Sequence, residues 1–413
     1  MSKSDIFIVQ KTLNTLGGTI VGKNAHLPSA DVMEVIFTAA TDQDAKTLQQ
    51  CSLVSVPQVA KTLATVLNKA AWCWGAEMGA NERSVFAACV AISSKLQASK
   101  GDVDALLPCD LVRLALERGM TAKEAVVVVG KLVEEVGLGG PLSESNPQLK
   151  NADAGLVIAD RDEAWIMEAV GKHWVAKKLT EGAVHVTNRF TIGAQFDLSS
   201  AGIAEYAKSQ SLWDGNGEFD FGRAFNVNGA ENGNGGQQLL NKSTANGKFT
   251  VQNMMEILRN KESKICSADG AELRAMGSIV SLLAPKESVH FFTAASNPCT
   301  VGFKPFLFDS NGAGDAVQHL LQSPKITPDP ATAKPRFSSK PDRRSTFVKL
   351  HEAVVSGNHP TGKSAQQISA QLLEMEAQCI ADVVDSFEKN STIYDGVTLF
   401  RDCVEAEAKI YQH

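Results

Sequence analysis

The chain has 413 residues, 44% of them apolar and 21% charged, with a net charge of −6. That length supports one large core or two domains, and the balance is that of an ordinary globular protein. The acidic surplus argues against nucleic-acid or anionic-membrane partners, and no run reaches the roughly 18 apolar residues that a membrane span needs.

The start, "MSKSDIFIVQ", carries no apolar segment of signal-peptide length, which predicts a cytoplasmic protein. "DIFIVQK", "GTIVGKN" and "VMEVIFTAA" are rich in β-branched and aromatic residues between turn formers, and read as short strands. Two helices follow. "PCDLVRLALERG" sets Leu111, Leu114 and Ala115 on one face and stops at Gly119; "TAKEAVVVVGKLVEEVG" opens with Thr121 and Glu124 as a capping box and closes at Gly137. "AGLVIADRDEAWIMEAVGKHW" places two apolar runs on either side of Asp160-Arg161-Asp162, the pattern of a β-hairpin, and "GAVHVTNRFTIG" continues in strand style. Residues 226–247 hold so many Asn and Gly that they read as a mobile surface loop.

Residues 321–341 contain Pro324, Pro328, Pro330, Pro335 and Pro341, which marks a semi-extended connector. It separates a main domain, 4–320, from a helical segment, 342–413, expected to pack back onto it. In that segment Ile368, Leu372, Met375, Cys379, Val383 and Phe387 form one apolar stripe. "GNHPTGKS", residues 357–364, matches the phosphate-loop spelling. A working phosphate loop follows a buried strand and needs further strands downstream. Here helical sequence lies on both sides, so the reading is helix, glycine-rich turn, helix, without nucleotide.

The eight cysteines, at 51, 73, 89, 109, 266, 299, 379 and 403, form no Cys-x-x-Cys unit and no zinc spacing with the histidines. They read as reduced, buried thiols, and neither a metal nor a cofactor is expected. Trp72, Trp74, Trp165 and Trp174 read as hydrophobic-layer residues. The whole is α+β, with strands and helices in separate layers.

Five stretches are more particular than generic core: "WGAEMGANE" (74–82), "DLVRLALERG" (110–119), "DRDEAWIMEAVGKHW" (160–174), "FKPF" (303–306) and "KPDRR" (340–344). Together they resemble the secernins, a dipeptidase branch of the N-terminal-nucleophile hydrolases, from about residue 4 to the end. The resemblance implies an αββα sandwich and amide-bond hydrolysis by a first-residue nucleophile, usually Cys, whose own α-amine is the base. It also implies Asn side chains and backbone N–H groups around the oxyanion, and, by the family's name, a loose association with regulated secretion.

The chain departs from that pattern at the chemistry. Ser4-Asp5-Ile6-Phe7 stands where the family has Cys-Asp-x-Phe, which makes Ser4 the candidate nucleophile. Gly22-Lys23-Asn24-Ala25-His26-Leu27-Pro28 stands for Gly-Lys-Asn-Ser-Asp-Arg-Pro, so His26 replaces an acid and Leu27 an arginine. Cys89-Val90-Ala91 stands for Asn-Glu-Ala. Asn24 and Asn188 survive, Asn188 on a strand facing the pocket, which makes Ser4 and Asn188 the catalytic candidates and Asn24, His26 and Cys89 the pocket candidates. Two functions follow. In one, the fold persists without chemistry, as a binding or structural component with a protein partner. In the other, Ser4 is an active amidase or dipeptidase nucleophile after removal of residues 1–3, acting on a small peptide or amide.

Overall fold

The computed structural model describes residues 4–97, 103–227, 234–267, 271–308, 318–389 and 396–413. β1 (Asp5–Val9) leads to β2 (Thr19–Pro28) and β3 (Met33–Thr38). Four short strands follow, β4 (Thr41–Asp42), β5 (Leu48–Gln50), β6 (Ser55–Pro57) and β7 (Lys61–Thr62), paired as two ribbons. Next come β8 (Thr65–Ala70), β9 (Met78–Asn81), β10 (Phe86–Ile92) and the helices α1 (Pro108–Arg118) and α2 (Ala122–Val136). The chain continues through β11 (Asp153–Ala159), β12 (Ala164–Val170), β13 (His173–Leu179), β14 (Ala183–Val186) and β15 (Leu198–Ser199). Helices α3 (Ile203–Ser209), α4 (Phe221–Phe225), α5 (Asn234–Thr244) and α6 (Val251–Leu258) precede β16 (Leu273–Leu283), β17 (Ser288–Phe292) and β18 (Lys304–Phe306). Last are α7 (Gln318–Leu321), α8 (Thr346–Val355), α9 (Ala365–Glu388) and α10 (Gly396–Gln412).

Two sheets hold the core, one ordered β14-β1-β2-β16-β17-β18 and the other β15-β13-β12-β11-β10-β9-β8-β3. β1 is buried at every position because the first sheet is covered on both faces. Ile6, Ile8 and Val21 pack into the cluster shared with Leu67, Met78 and Ala87 of the second sheet, while Phe7, Val9 and Ile20 pack with Met254, Met255 and Leu258 of α6. On the far side of the second sheet, α1 and α2 bury Leu111, Leu114, Val126 and Val129. The layers therefore run helix, sheet, sheet, helix. This is the αββα sandwich that the five stretches imply.

The hairpin forms as expected, with Asp160 at its turn. Oδ1 of Asp160 accepts from the N–H groups of Asp162 and Glu163, and Oδ2 accepts from Ala122 N–H at the start of α2. "WGAE" is fastened to "DLVR": Ser52 Oγ donates to Asp110 (2.6 Å), and Arg113 lies over the Trp74 ring and donates to the Trp74 carbonyl. Gly75 is required there, since a Cβ would lie 2.4 Å from the Cys109 carbonyl carbon.

One expectation fails. Residues 226–247 are not a loop throughout, because α5 (Asn234–Thr244) lies within them; residues 228–233 are outside the described residues. Leu240 of α5 is fully buried against the outer face of the first sheet, and that burial outweighs the helix-weakening Asn and Gly.

The C-terminal segment is helical and docks through apolar residues such as Ile368, Leu372, Phe400 and Tyr411, with buried ion pairs beside them. Lys304 of "FKPF", 1% exposed, donates to Glu407 of α10 (2.7 Å) and to the Gly302 carbonyl (2.6 Å). Arg259 forks onto Glu376 of α9, whose carboxylate also accepts from Phe303 N–H. Between Gln322 and Ser345 the chain is neither helix nor strand, as its prolines dictate, but it is pinned. Phe337 meets Trp72 edge-on, and Arg336 forks onto Asp104 (2.7 and 2.9 Å). At 357–364 the element before the turn is α8, not a strand, and Gly357 and Gly362 take φ of 77° and 73° to reverse the chain into α9.

Candidate functional site

Ser4 stands at the head of β1, where pairing sets Asp5 opposite Asn24 of β2. That register brings the backbone of His26 alongside, and its N–H donates to Ser4 Oγ (3.2 Å). The Ser4 backbone N–H donates to Asn188 Oδ1 (2.7 Å), and Asn188 Nδ2 donates to the Ala91 carbonyl of β10 (2.6 Å). Asn188 thus spans the two sheets. Contrary to the strand expectation, it lies just beyond the end of β14, in a bend, where a side chain can turn inward between the layers.

These groups open onto a cavity of about 110 Å³. Ser4, His26, Leu27, Glu77, Cys89 and Asn188 line it, with Pro108 and Cys109 from the start of α1 and a loop containing Leu142, Ser143, Gln148, Leu149 and Lys150. Four of the five sequence candidates therefore converge. Asn24 does not, and its assignment to the pocket is corrected here. Successive strand residues face opposite ways. Val21 and Ala25 face the second sheet, so Asn24 faces the helices: Nδ2 donates to the carbonyls of Leu258 (2.8 Å) and Ile265 (3.0 Å), and Oδ1 accepts from Ser278 Oγ. Beside it, β16 bulges between Ala275 and Gly277, opposite Ala25 and His26. Gly277 is needed at that bulge, since a Cβ would lie 2.8 Å from the amide of Asn68 in the facing sheet.

The sequence reading missed an ion pair. Lys23, fully buried, donates to the Glu77 carboxylate (2.8 Å) and the Glu77 carbonyl (2.6 Å), bridging the sheets at the cavity wall. Both residues sat in stretches already singled out, "GKN" and "WGAEMGANE", and nothing in one sequence shows that they meet. Cys89 lies against the same carboxylate. Burial, and then the Glu77 charge, push its thiol above the ordinary range, so it stays protonated and is a poor nucleophile. The hydrogen bond with Cys73, together with burial, does the same to Cys109.

Chemically, the cavity is lined by the hydroxyl residues Ser4, Ser93 and Ser143, and the Ser4 hydroxyl is held by a backbone donor. In the mechanism that the resemblance implies, the base is the Ser4 nitrogen itself, which is basic only as a free amine, with a pKa of roughly 8. The Asn188 amide donor is engaged by Ala91 and so serves to hold Asn188 in place. No group of three or more metal-ligating side chains gathers among the described residues, and no helix there is long and apolar enough to cross a membrane.

The family model of Peptidase family C69 matches residues 7–234, more than half of the chain. Among solved structures, the chain is similar to a mutant conjugated bile acid hydrolase from Clostridium perfringens at 11% identity, covering 76% of this chain and 93% of that one with a TM-score of 0.44. It is also similar to penicillin V acylase from Agrobacterium tumefaciens at 14% identity, over 74% and 86% of the two chains, with a TM-score of 0.40. An N-acylethanolamine-hydrolyzing acid amidase ortholog from Caenorhabditis elegans matches at 11% identity, over 67% and 91%, with a TM-score of 0.34.

Proposed function

The chain belongs to peptidase family C69, the secernin and dipeptidase family, and on that premise we propose that it keeps the family's fold with its hydrolytic chemistry disabled. The Ser4 cavity is then a binding site for a small peptide or amide, in a protein that works through a protein partner in the cytoplasm. What carries this reading is that Leu27 and Cys89 both form the cavity wall. The resemblance puts an arginine and an asparagine there. Leucine cannot make the bidentate, charge-assisted contact that an arginine makes with a substrate carboxylate. A serine hydroxyl is essentially never ionised unaided, whereas a cysteine is a few per cent thiolate at neutral pH. While residues 1–3 stay attached, the Ser4 nitrogen is an amide and has no lone pair to offer as base. The cytoplasmic setting rests on the sequence alone, in which the eight cysteines form no Cys-x-x-Cys unit.

A second reading is favoured by one observation: Ser4 Oγ faces the cavity and the Ser4 nitrogen is anchored 2.7 Å from Asn188 Oδ1. In that reading Ser4 Oγ attacks the Lys3 carbonyl carbon, the peptide bond shifts to an ester, and water releases residues 1–3, leaving a free amine as base. Intact mass of the protein isolated from its own cells, with a dipeptide hydrolysis assay on the same sample, separates the two. Retained Lys3 with no hydrolysis above background is expected. A chain beginning at Ser4 that turns over substrate would replace the first reading by the second.

A further inference from the structure

The loop between β11 and the helices before it supplies much of the cavity wall, through Leu142, Ser143, Gln148, Leu149 and Lys150. It is a narrow turn: Leu142 N–H donates to the Leu149 carbonyl, Asn151 N–H to the Gly140 carbonyl, and Pro141 bridges Lys150. Its tip is held from outside. Glu144 receives both arms of the Arg343 guanidinium, Nε at 2.6 Å and Nη2 at 2.8 Å, and the same guanidinium forks onto Asp329 at 3.0 and 2.6 Å. Asp31 accepts from Ser145 N–H (3.0 Å). Arg343 is only 4% exposed, so it is a buried cation between two carboxylates that approach from different parts of the chain.

We infer that Arg343 is a positioning residue for the cavity: it carries no chemistry itself but locks the 141–150 loop over Ser4, so that the site is completed by the C-terminal segment. This explains "KPDRR" and assigns the site a component far outside the family-matched residues 7–234. The fork geometry requires an arginine. A lysine ammonium is a point charge and cannot offer paired donors to two carboxylates at once. The inference rests on reading this cavity as the binding site, but not on whether Ser4 is active.

The test therefore uses no substrate. Cys89 and Cys109 line the cavity, whereas Cys266 and Cys403 are buried elsewhere. Both cavity thiols are protonated and slow to react while buried, and an opened loop admits water as well as reagent. Alkylation of the full-length folded protein by N-ethylmaleimide at mildly alkaline pH, followed residue by residue with peptide mass spectrometry, therefore reads how closed the cavity is. Arg343→Leu is expected to speed alkylation of Cys89 and Cys109 by tenfold or more, with Cys266 and Cys403 unchanged and Arg343→Lys in between. Where Arg343→Leu does not fold, Glu144→Ala removes the acceptors on the loop side alone and leaves Arg343 its bond to Asp329. Rates within twofold of the parent in a folded variant overturn the inference. Equal acceleration at all four cysteines also overturns it, because it would mean that the clasp serves only general stability.

Discussion

Replacing Glu77 by alanine tests how the cavity wall is built. Lys23 is fully buried and its ammonium has two acceptors, both on Glu77, one of them the carbonyl that the substitution leaves in place. Removing one partner of a buried pair costs about 3–5 kcal/mol. The retained carbonyl and the 18% exposure of the Glu77 side chain put the cost near the lower end, about 3 kcal/mol. At roughly 2.1 cal/mol/K of unfolding entropy per residue, the whole chain carries about 0.9 kcal/mol/K, so the midpoint falls by about 3–4 °C. Scanning calorimetry of Glu77→Ala measures it. The double variant Lys23→Met, Glu77→Leu removes both charges and fills the space with apolar groups, and should recover most of the loss. A fall below 1 °C for Glu77→Ala, or a double variant less stable than the single one, would refute the view that an uncompensated buried ammonium sets the cost.

Burial, with Lys304 close by, pushes His351 down to about 4, below the 6.5 of an ordinary histidine. The unfolded chain therefore binds that proton first, and stability that is full above pH 6.5 is lost as the pH falls toward 4, by about 3 kcal/mol. Burial raises the neighbouring Glu407 carboxyl and works in the opposite sense, so the measurement is the difference in midpoint between parent and His351→Gln from pH 7 to 4.5, with the variant expected to be flatter. Magnesium-ATP should leave the thermal midpoint of both the parent and Lys363→Ala unchanged; a rise of several degrees in the parent alone would restore the phosphate-loop reading. Ser4→Cys alone should give no dipeptide hydrolysis, since Leu27 and Cys89 still form the wall; turnover by that single variant would show that the nucleophile was the only deficiency.

Much of the fold was legible because the local signals agreed with the tertiary structure. The hairpin around Asp160, the caps at Thr121 and Gly137, and the stripe from Ile368 to Phe387 are short-range patterns that formed where their residues put them, although Glu124 accepts from Met120 N–H and so does not close the expected box with Thr121. The stretch 226–247 misled because its helix depends on burial of Leu240 against a sheet assembled from residues far away in sequence. Composition reports propensity, and here packing overrode it.

The site was harder to read, for two physical reasons. A strand presents its residues alternately to two faces, and a single sequence does not say which face meets which layer. The motif alone does not say whether Lys23 or Asn24 faces the second sheet, and a shift of one residue inverts both roles. Ser4 and Asn188 are 184 positions apart, as are many pairs whose meeting depends on the whole sandwich. The five particular stretches also proved to be largely structural: Asp160 caps a helix, Arg113 secures Trp74, Lys304 anchors α10 and Arg343 clasps a loop. Distinctive sequence therefore marked constraint, and constraint arises wherever a buried charge must find its partner. Function is better sought among the residues facing the cavity whose polar groups the fold does not already employ. Ser4 Oγ, which accepts one backbone N–H and still carries its proton, meets that criterion, while Asn188 and Glu77 do not.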